Sequence, residues 1–258
     1  FGSGFGWAVM PMVAAADSAD DGPAARRATR MALWLSLLFA AAVLPVMLMA
    51  EPIFLVLWQG PAVSELAGTY LDIAGWGLLA SLPVVVLRSY LSALDRAGVV
   101  MWVTLATLGM NALINYALIF GNWGAPELGI EGAAIASLAT QTIGMLGIVA
   151  YAVIVLPQHQ LFVRFWKPDW EMLDRVFRMG VPIGLTGLSE TGLFTATAIM
   201  MGWLGTVPLA AHGIALQCAS ITFMLHLGIS NAATIRAGNA YGRKDRDHLA
   251  RGARVVLS

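Results

Sequence analysis

Six stretches of this chain are apolar, nearly free of charge and long enough to cross a lipid bilayer as helices. They are residues 31–50, 66–87, 97–121, 132–156, 179–202 and 209–235. A hydrocarbon core of about 30 Å needs about 20 apolar residues at a rise of 1.5 Å each. Within these runs the only acidic side chains are Asp72 and Glu190, and there is no Lys or Arg. A seventh piece, 4–16, reads as a span lacking its first turns. A soluble core helix accounts for one such run, not for six in 258 residues, because a compact soluble domain needs a polar face on most of its helices. The expected fold is all-α: a polytopic membrane helix bundle with seven spans. Composition agrees, with 12% charged residues where soluble domains carry about 25%. The formal net charge of zero gives no field suited to nucleic acid, and the single Cys218 excludes an intrachain disulfide.

The basic residues test this pattern independently. All 15 Lys and Arg residues are assigned to alternate connections. Arg26, Arg27 and Arg30 follow the first span, and Arg88 and Arg96 the third. Arg164, Lys167, Arg175 and Arg178 follow the fifth. Arg236, Arg243, Lys244, Arg246, Arg251 and Arg254 follow the seventh. The intervening connections, 51–65, 122–131 and 203–208, have none. Basic loops stay cytoplasmic, so the chain is expected to start on the outer side and end inside. Trp58, Trp123 and Trp203 fall at outer ends, and Trp102, Trp166 and Trp170 near inner ends, where an apolar ring with one N–H belongs. The longest inner connection holds a predicted short surface helix over 168–178. Pro168 is placed at its first position, and Trp170, Leu173 and Phe177 share one face. The expected organisation is a first lobe over 1–157 with five spans, a cytoplasmic linker over 158–178, and part of a second lobe over 179–258.

Residues 1–36 can be laid on 223–258, matching Phe1 with Phe223, Gly6 with Gly228, Ala15 with Ala237 and Leu35-Ser36 with Leu257-Ser258. Both copies are a span, a basic loop and a new helix in one orientation, as in the parallel repeats of secondary transporters. Particular motifs go further. Leu87-Arg-Ser-Tyr-Leu-Ser-Ala-Leu94, Asn115-Tyr-Ala-Leu-Ile-Phe-Gly121 and Leu128-Gly-Ile-Glu-Gly-Ala-Ala134 resemble the multidrug and toxic compound extrusion (MATE) family. So do Gly180-Val-Pro-Ile-Gly-Leu185 with Ser189-Glu190, Leu209-Ala-Ala-His-Gly-Ile-Ala215, Leu227-Gly-Ile-Ser-Asn-Ala-Ala-Thr-Ile-Arg236 and Gly242-Arg-Lys-Asp245. The resemblance covers nearly the whole chain, as family helices two to eight. It implies a protein of twelve spans in two six-helix lobes, with helix one and helices nine to twelve outside this sequence. Two departures stand out: His226 where the family usually has Pro, and Ala16-Asp17 in place of a Gln-containing turn.

Glu190 is the leading candidate for chemistry. An ionised side chain in mid-membrane costs about 2.5–3.5 kcal/mol on insertion scales, so such a residue is expected to face a cavity, a cation or a partner. Burial would raise its pKa toward neutrality for proton coupling, whereas a Na⁺ site would use its oxygens. Thr186, Ser189 and Thr191 are nearby oxygen donors, and the resemblance also places a coupling carboxylate at this position. Asp72, about 9 Å from the outer end of its run, is the second carboxylate. Asn111, Asn115, Tyr116, Gln141 and Gln217 are either interhelical hydrogen-bonding groups or, with Thr186 and Ser189, the polar lining of a substrate cavity. Histidine is the side chain whose ordinary charge change falls near neutral pH, which makes His212 and His226 candidates for a proton-linked role, but no second ligand suggests a metal. Pro11, Pro45, Pro83 and Pro182 are static kinks or bending points. Gly2-Ser-Gly-Phe-Gly6 follows no strand and reads as a small-residue packing face rather than a nucleotide loop.

The expected function is a secondary active multidrug antiporter of the bacterial inner membrane, not an enzyme. It exports organic, often cationic, compounds in exchange for Na⁺ or H⁺. No cofactor is expected beyond that coupling ion. Its partners are the drug substrate and membrane lipid, with no nucleic acid, and it acts as a monomer. The alternative is a lipid-linked precursor or polysaccharide flippase of related architecture, which calls for basic cavity residues that these spans lack.

Overall fold

A computed structural model of the chain describes residues 1–56, 61–122, 126–157, 161, 165–245 and 252. All regular structure among them is helical: α1 (Ser3–Ser18), α2 (Gly22–Leu48), α3 (Ala50–Val56), α4 (Pro61–Ala74), α5 (Leu78–Ala93), α6 (Ala97–Phe120), α7 (Gly129–Val155), α8 (Trp170–Leu204) and α9 (Thr206–Gly242). Five segments are long and apolar enough to cross a membrane: Gly22–Leu48, Ser64–Ala93, Ala97–Phe120, Gly129–Val155 and Val207–Gly242. The expected count of seven is thus met at five. α1 has 16 residues, and α8, though it has 35, dilutes its apolar half with Glu190, threonines and glycines.

The helices overrun the apolar runs at their arginine-bearing ends. α2 begins at Gly22, where the Asp21 carboxylate accepts a 3.0 Å bond from Ala24 N and Pro23 occupies the first turn. Arg26, Arg27 and Arg30 therefore lie on α2 and not in a loop, as do Arg88 on α5, Arg175 and Arg178 on α8, and Arg236 on α9. Charge decides which side of the membrane a helix end occupies. It does not stop a backbone that satisfies its own hydrogen bonds. Arg164, Arg246, Arg251 and Arg254 lie outside the described residues, as do Trp58 and Trp123. Trp102, Trp166, Trp170 and Trp203 are each exposed, as residues of an interfacial belt are.

Two further elements differ from expectation. The run 66–87 is two helices, with a 3₁₀ turn at Gly75–Gly77 between α4 and α5. Gly75 and Gly77 weaken the helix there, and a Cβ on Gly77 would make a tight contact with the Gln141 side chain, 3.0 Å from its Oε1. The predicted short helix over 168–178 is the first part of α8, which continues unbroken through Pro182. Asp169 caps α8, accepting from Met172 N at 3.1 Å, so Pro168 precedes the cap instead of opening the helix. The buried residues of α8 are Met172, Val176, Gly180 and Gly184, one stripe at four-residue spacing. Trp170 and Phe177 are exposed, but the Phe177 ring also stacks on Phe5 and Leu173 packs against the core, so the three predicted to share one face are divided between surface and core.

α1 is the hub, packed against α2, α5, α8 and α9. Phe5, Val9 and Val13 of α1 join Met31 of α2, Val86, Leu87 and Tyr90 of α5, Ile148 of α7, and Met172 and Val176 of α8 in one core. The first turns of α8 thus pack into the core built by α1, α2, α5 and α7. The glycine series at the start of α1 is indeed a packing face. A Cβ at Gly2 would strike Phe39 and Leu82, one at Gly4 would strike Gly180 and Gly184, and one at Gly6 would strike Val85. α6 and α7 pack on each other, and no α6 residue is buried within this chain. The repeat shows a two-residue slip. Sequence matching sets Asp20 opposite Gly242, yet the left-handed turn residues after α1 and α9 are Asp20 (φ 57°) and Lys244 (φ 56°).

The α8 cap also ties α8 to α2. Arg27 Nε donates to the Asp169 carboxylate, and Trp34 Nε1 donates to Phe165 O at 2.9 Å while its ring stacks on Phe165. The Arg27 partner and the cap bond hold the Asp169 carboxyl below its ordinary value of 3.8, against the opposing effect of burial. A depressed carboxyl stabilises the folded state above its unfolded pKa and loses that contribution only as pH falls through the lowered value. Asp169→Ala should cost about 1 kcal/mol at pH 7. That difference should persist to about pH 4 and vanish below it, as read by thermal unfolding at stepped pH. A pH-independent difference would mean the carboxylate is not the stabilising group.

Candidate coupling and cavity residues

Glu190 lies on α8 beyond the buried stripe that ends at Gly184, about 21 Å along the helix from its end at Leu204. It is exposed in this chain, so these residues do not supply the burial expected from the sequence. Its neighbours are partly committed. Thr186 Oγ1 donates to Pro182 O and Thr191 Oγ1 to Gly187 O, each at 2.9 Å, which leaves their lone pairs free to accept or ligate. Ser189 is likewise exposed.

Asp72 lies near the inner end of α4. α4 begins at Pro61, five residues before the apolar run 66–87, so Asp72 is about 16 Å along the helix and one turn short of the break at Gly75–Gly77. Across the break stands Gln141 of α7, whose Oε1 is buried and has no hydrogen-bond partner among the described residues. An unmet acceptor in an apolar slab is costly, and the helix break is where polar backbone approaches it.

Asn111 and Asn115 come together. Asn115 Nδ2 donates to Asn111 Oδ1 at 3.0 Å, and Asn111 Nδ2 donates to Thr140 Oγ1 at 3.2 Å, joining α6 to α7. Their four-residue spacing puts both on one helix face. Thr140 completes the ladder; sequence reading passed over it because a lone Thr next to Gln141 carries no periodic signal. Tyr116 is exposed, with its ring 6.1 Å from Phe120. Gln217 lies exposed on α9, apart from this cluster. His212 Nε2 is buried without a partner among the described residues, and His226 Nδ1 is 2.8 Å from Thr222 O. With His226 in place of proline, α9 runs uninterrupted from Thr206 to Gly242. Among the described residues no group of three His, Cys, Asp or Glu is placed to hold a metal.

A helical bundle with five membrane-length apolar segments among the described residues and arginines on alternate ends defines a multi-pass membrane protein. The comparisons place it further. The family model described as MatE matches residues 1–117 and 182–258, and the chain belongs to that family of transporters, not to a family of enzymes. It is 49% identical, over all of its length, to a protein of Rhizobium meliloti described as a probable multidrug resistance protein NorM. It is 46% identical to a protein of Agrobacterium fabrum of the same description. The chain spans 56% of each of these relatives. The crystal structure of a MATE in the straight conformation superposes on 99% of this chain with a TM-score of 0.83, at 23% identity and over 57% of that chain.

Proposed function

We propose that the full-length protein is a secondary active antiporter of the bacterial inner membrane. It exports organic, often cationic, compounds in exchange for Na⁺ or H⁺, acting as a monomer with no cofactor beyond the coupling ion. Residues 1–157 and 179–258 belong to its two lobes, and the linker 158–178 carries the first turns of α8. Glu190 is the cation-coupling carboxylate and Asp72 a second one. Asn111, Asn115, Tyr116, Gln141, Thr186, Ser189 and Gln217 are the cavity candidates. The supporting observation is the lone carboxylate on an unpacked face in the middle of α8, in a chain 49% identical to a NorM-described relative. A carboxylate persists in an apolar helix where it meets a cation or a water-filled cavity. The flippase alternative gains nothing, since the described Lys and Arg residues cluster at helix ends and connections.

The test uses the full-length protein in proteoliposomes. An imposed Na⁺ or H⁺ gradient should drive accumulation of a fluorescent organic cation, and the matching ionophore should abolish it. Movement insensitive to both gradients would overturn the antiport reading.

A further inference from the structure

The inner end of α9 carries a small polar cavity. Arg236 and Asn239 are three residues apart and Arg243, at the C-cap, follows four later, which sets all three on one face. The chain then turns back. Lys244 is left-handed (φ 56°), and Asp245 N donates to Ala240 O at 3.0 Å, bringing Asp245 beside that face. With the buried Ala240 behind them, these residues line a cavity of about 120 Å³. Drug-sized ligands occupy pockets of about 300–1,000 Å³, so this one suits a smaller group. Its polar groups are not paired with one another. Arg27, Arg175 and Arg178 each meet a carboxylate, whereas neither Arg236 nor Arg243 forms an ion pair among the described residues. Asn239 Oδ1 is buried and accepts no hydrogen bond among them. A buried acceptor left unmet is costly.

The apolar run of α9 ends at residue 235, and Arg236 and Arg243 are about 10 Å apart along the axis. The cavity therefore lies in the headgroup layer on the inner side, where basic helix ends belong. We propose that it holds the headgroup of a phosphatidylethanolamine of the inner leaflet, with the phosphate on the Arg236 and Arg243 guanidinium groups and the ammonium on Asn239 Oδ1 and the Asp245 carboxylate. The proposal rests on the membrane placement of α9 and not on the antiport reading. Guanidinium groups match phosphate with parallel N–H bonds and keep their charge. A pocket of arginines alone would suit a purely anionic headgroup. Here an amide oxygen and a carboxylate share the space with the cations, and the carbonyl end of a helix favours positive charge. Those groups call for a cationic donor, and an ammonium offers three N–H bonds. Bare phosphate would leave Asn239 Oδ1 unmet and would face Asp245 with like charge. The methylated ammonium of phosphatidylcholine has no N–H to give, and the glycerol of phosphatidylglycerol has no positive charge.

Native mass spectrometry of the full-length protein, delipidated in detergent and titrated with one lipid at a time, reads binding without transport. Phosphatidylethanolamine should occupy one site at least fivefold more tightly than phosphatidylcholine or phosphatidylglycerol with the same chains. Arg236→Gln with Arg243→Gln should weaken it at least tenfold; both side chains are exposed, so the fold should hold. Asn239→Leu should bring phosphatidylethanolamine down to the level of phosphatidylcholine, and it decides alone if the double variant fails to fold. Arg175→Gln with Lys244→Gln removes the same charge from outside the cavity and should leave binding within twofold. An equal loss there would mean that charge alone retains the lipid, and the site would fall. Equal affinity for phosphatidylglycerol, or displacement of phosphatidylethanolamine by excess inorganic phosphate, would make the cavity a general anion site and overturn the headgroup assignment. Gradient-driven export has its own assay above, so either reading can fail while the other stands.

Discussion

Glu190→Gln should leave the protein folded and cut gradient-driven export at least tenfold, to the level of passive leak. Glutamine keeps the size and hydrogen-bonding ability of the side chain but has neither the charge to hold Na⁺ nor the proton to exchange. Little packing is at stake, because Glu190 lies beyond the stripe that seats α8 and is exposed in this chain. Glutamine is close to glutamate in size, so the melting temperature should hold. The effect on transport is large because an ion drives a conformational change only through its differential affinity for the two conformations. Losing 1.4 kcal/mol of that difference is a tenfold change, and losing a charged ligand removes at least that much. Substrate binding, read by fluorescence polarisation of the same cation, should change far less than transport. Asp72→Asn is the informative companion: equal loss would make the carboxylates joint ligands, and wild-type export would leave Glu190 alone in the role. Wild-type ion dependence in the Glu190→Gln protein would remove Glu190 from the mechanism.

The class of this protein was legible because lipid imposes a crude requirement: apolar length with the charge at the ends. Residues 97–121 and 132–156 satisfy it, and α6 and α7 fall within a few residues of them. Helix ends were less legible. The arginines of α2 read as a loop because charge density marks the edge of the hydrocarbon, while capping at Asp21 sets where the helix starts. The fusion of the linker helix with α8 was hidden for the same reason, since nothing near Met179 stops a helix and Pro182 is tolerated in a membrane segment. Of the candidate site, the Asn111–Asn115 pair followed from spacing. Its link to Thr140 and the placing of Gln141 against Gly77 depend on how α6, α7 and the helix break meet in space. The sequence reading expected a buried environment for Glu190, and these residues do not wall it in.

Gly4→Val should be the most damaging single change in α1. A Cβ there would stand 2.5 Å from the Gly180 carbonyl oxygen, 2.5 Å from Gly184 N and 2.7 Å from Gly184 Cα. All three are backbone atoms, so no rotamer change relieves the clash and the two helices must separate by about 1 Å. Separation would open the core shared by Phe5, Val9, Met172 and Val176, which is the main apolar tie between α1 and α8. Overpacking of this kind costs about 1–3 kcal/mol where side chains can adapt, and a backbone clash at the hub helix should reach or exceed the upper end. Two other glycines calibrate the scale. Gly180→Ala meets the Phe5 ring at 2.6 Å but backbone atoms only at 3.1 Å and 3.2 Å, looser than those at Gly4, and should cost less. Gly147→Ala on α7 meets only Val103 Cγ1 at 3.9 Å and should be neutral or gain up to about 1 kcal/mol from helix propensity. Size-exclusion profiles of the full-length protein after stepped heating in detergent give the ranking. A Gly4→Val profile matching wild type would mean α1 and α8 do not cross at these glycines.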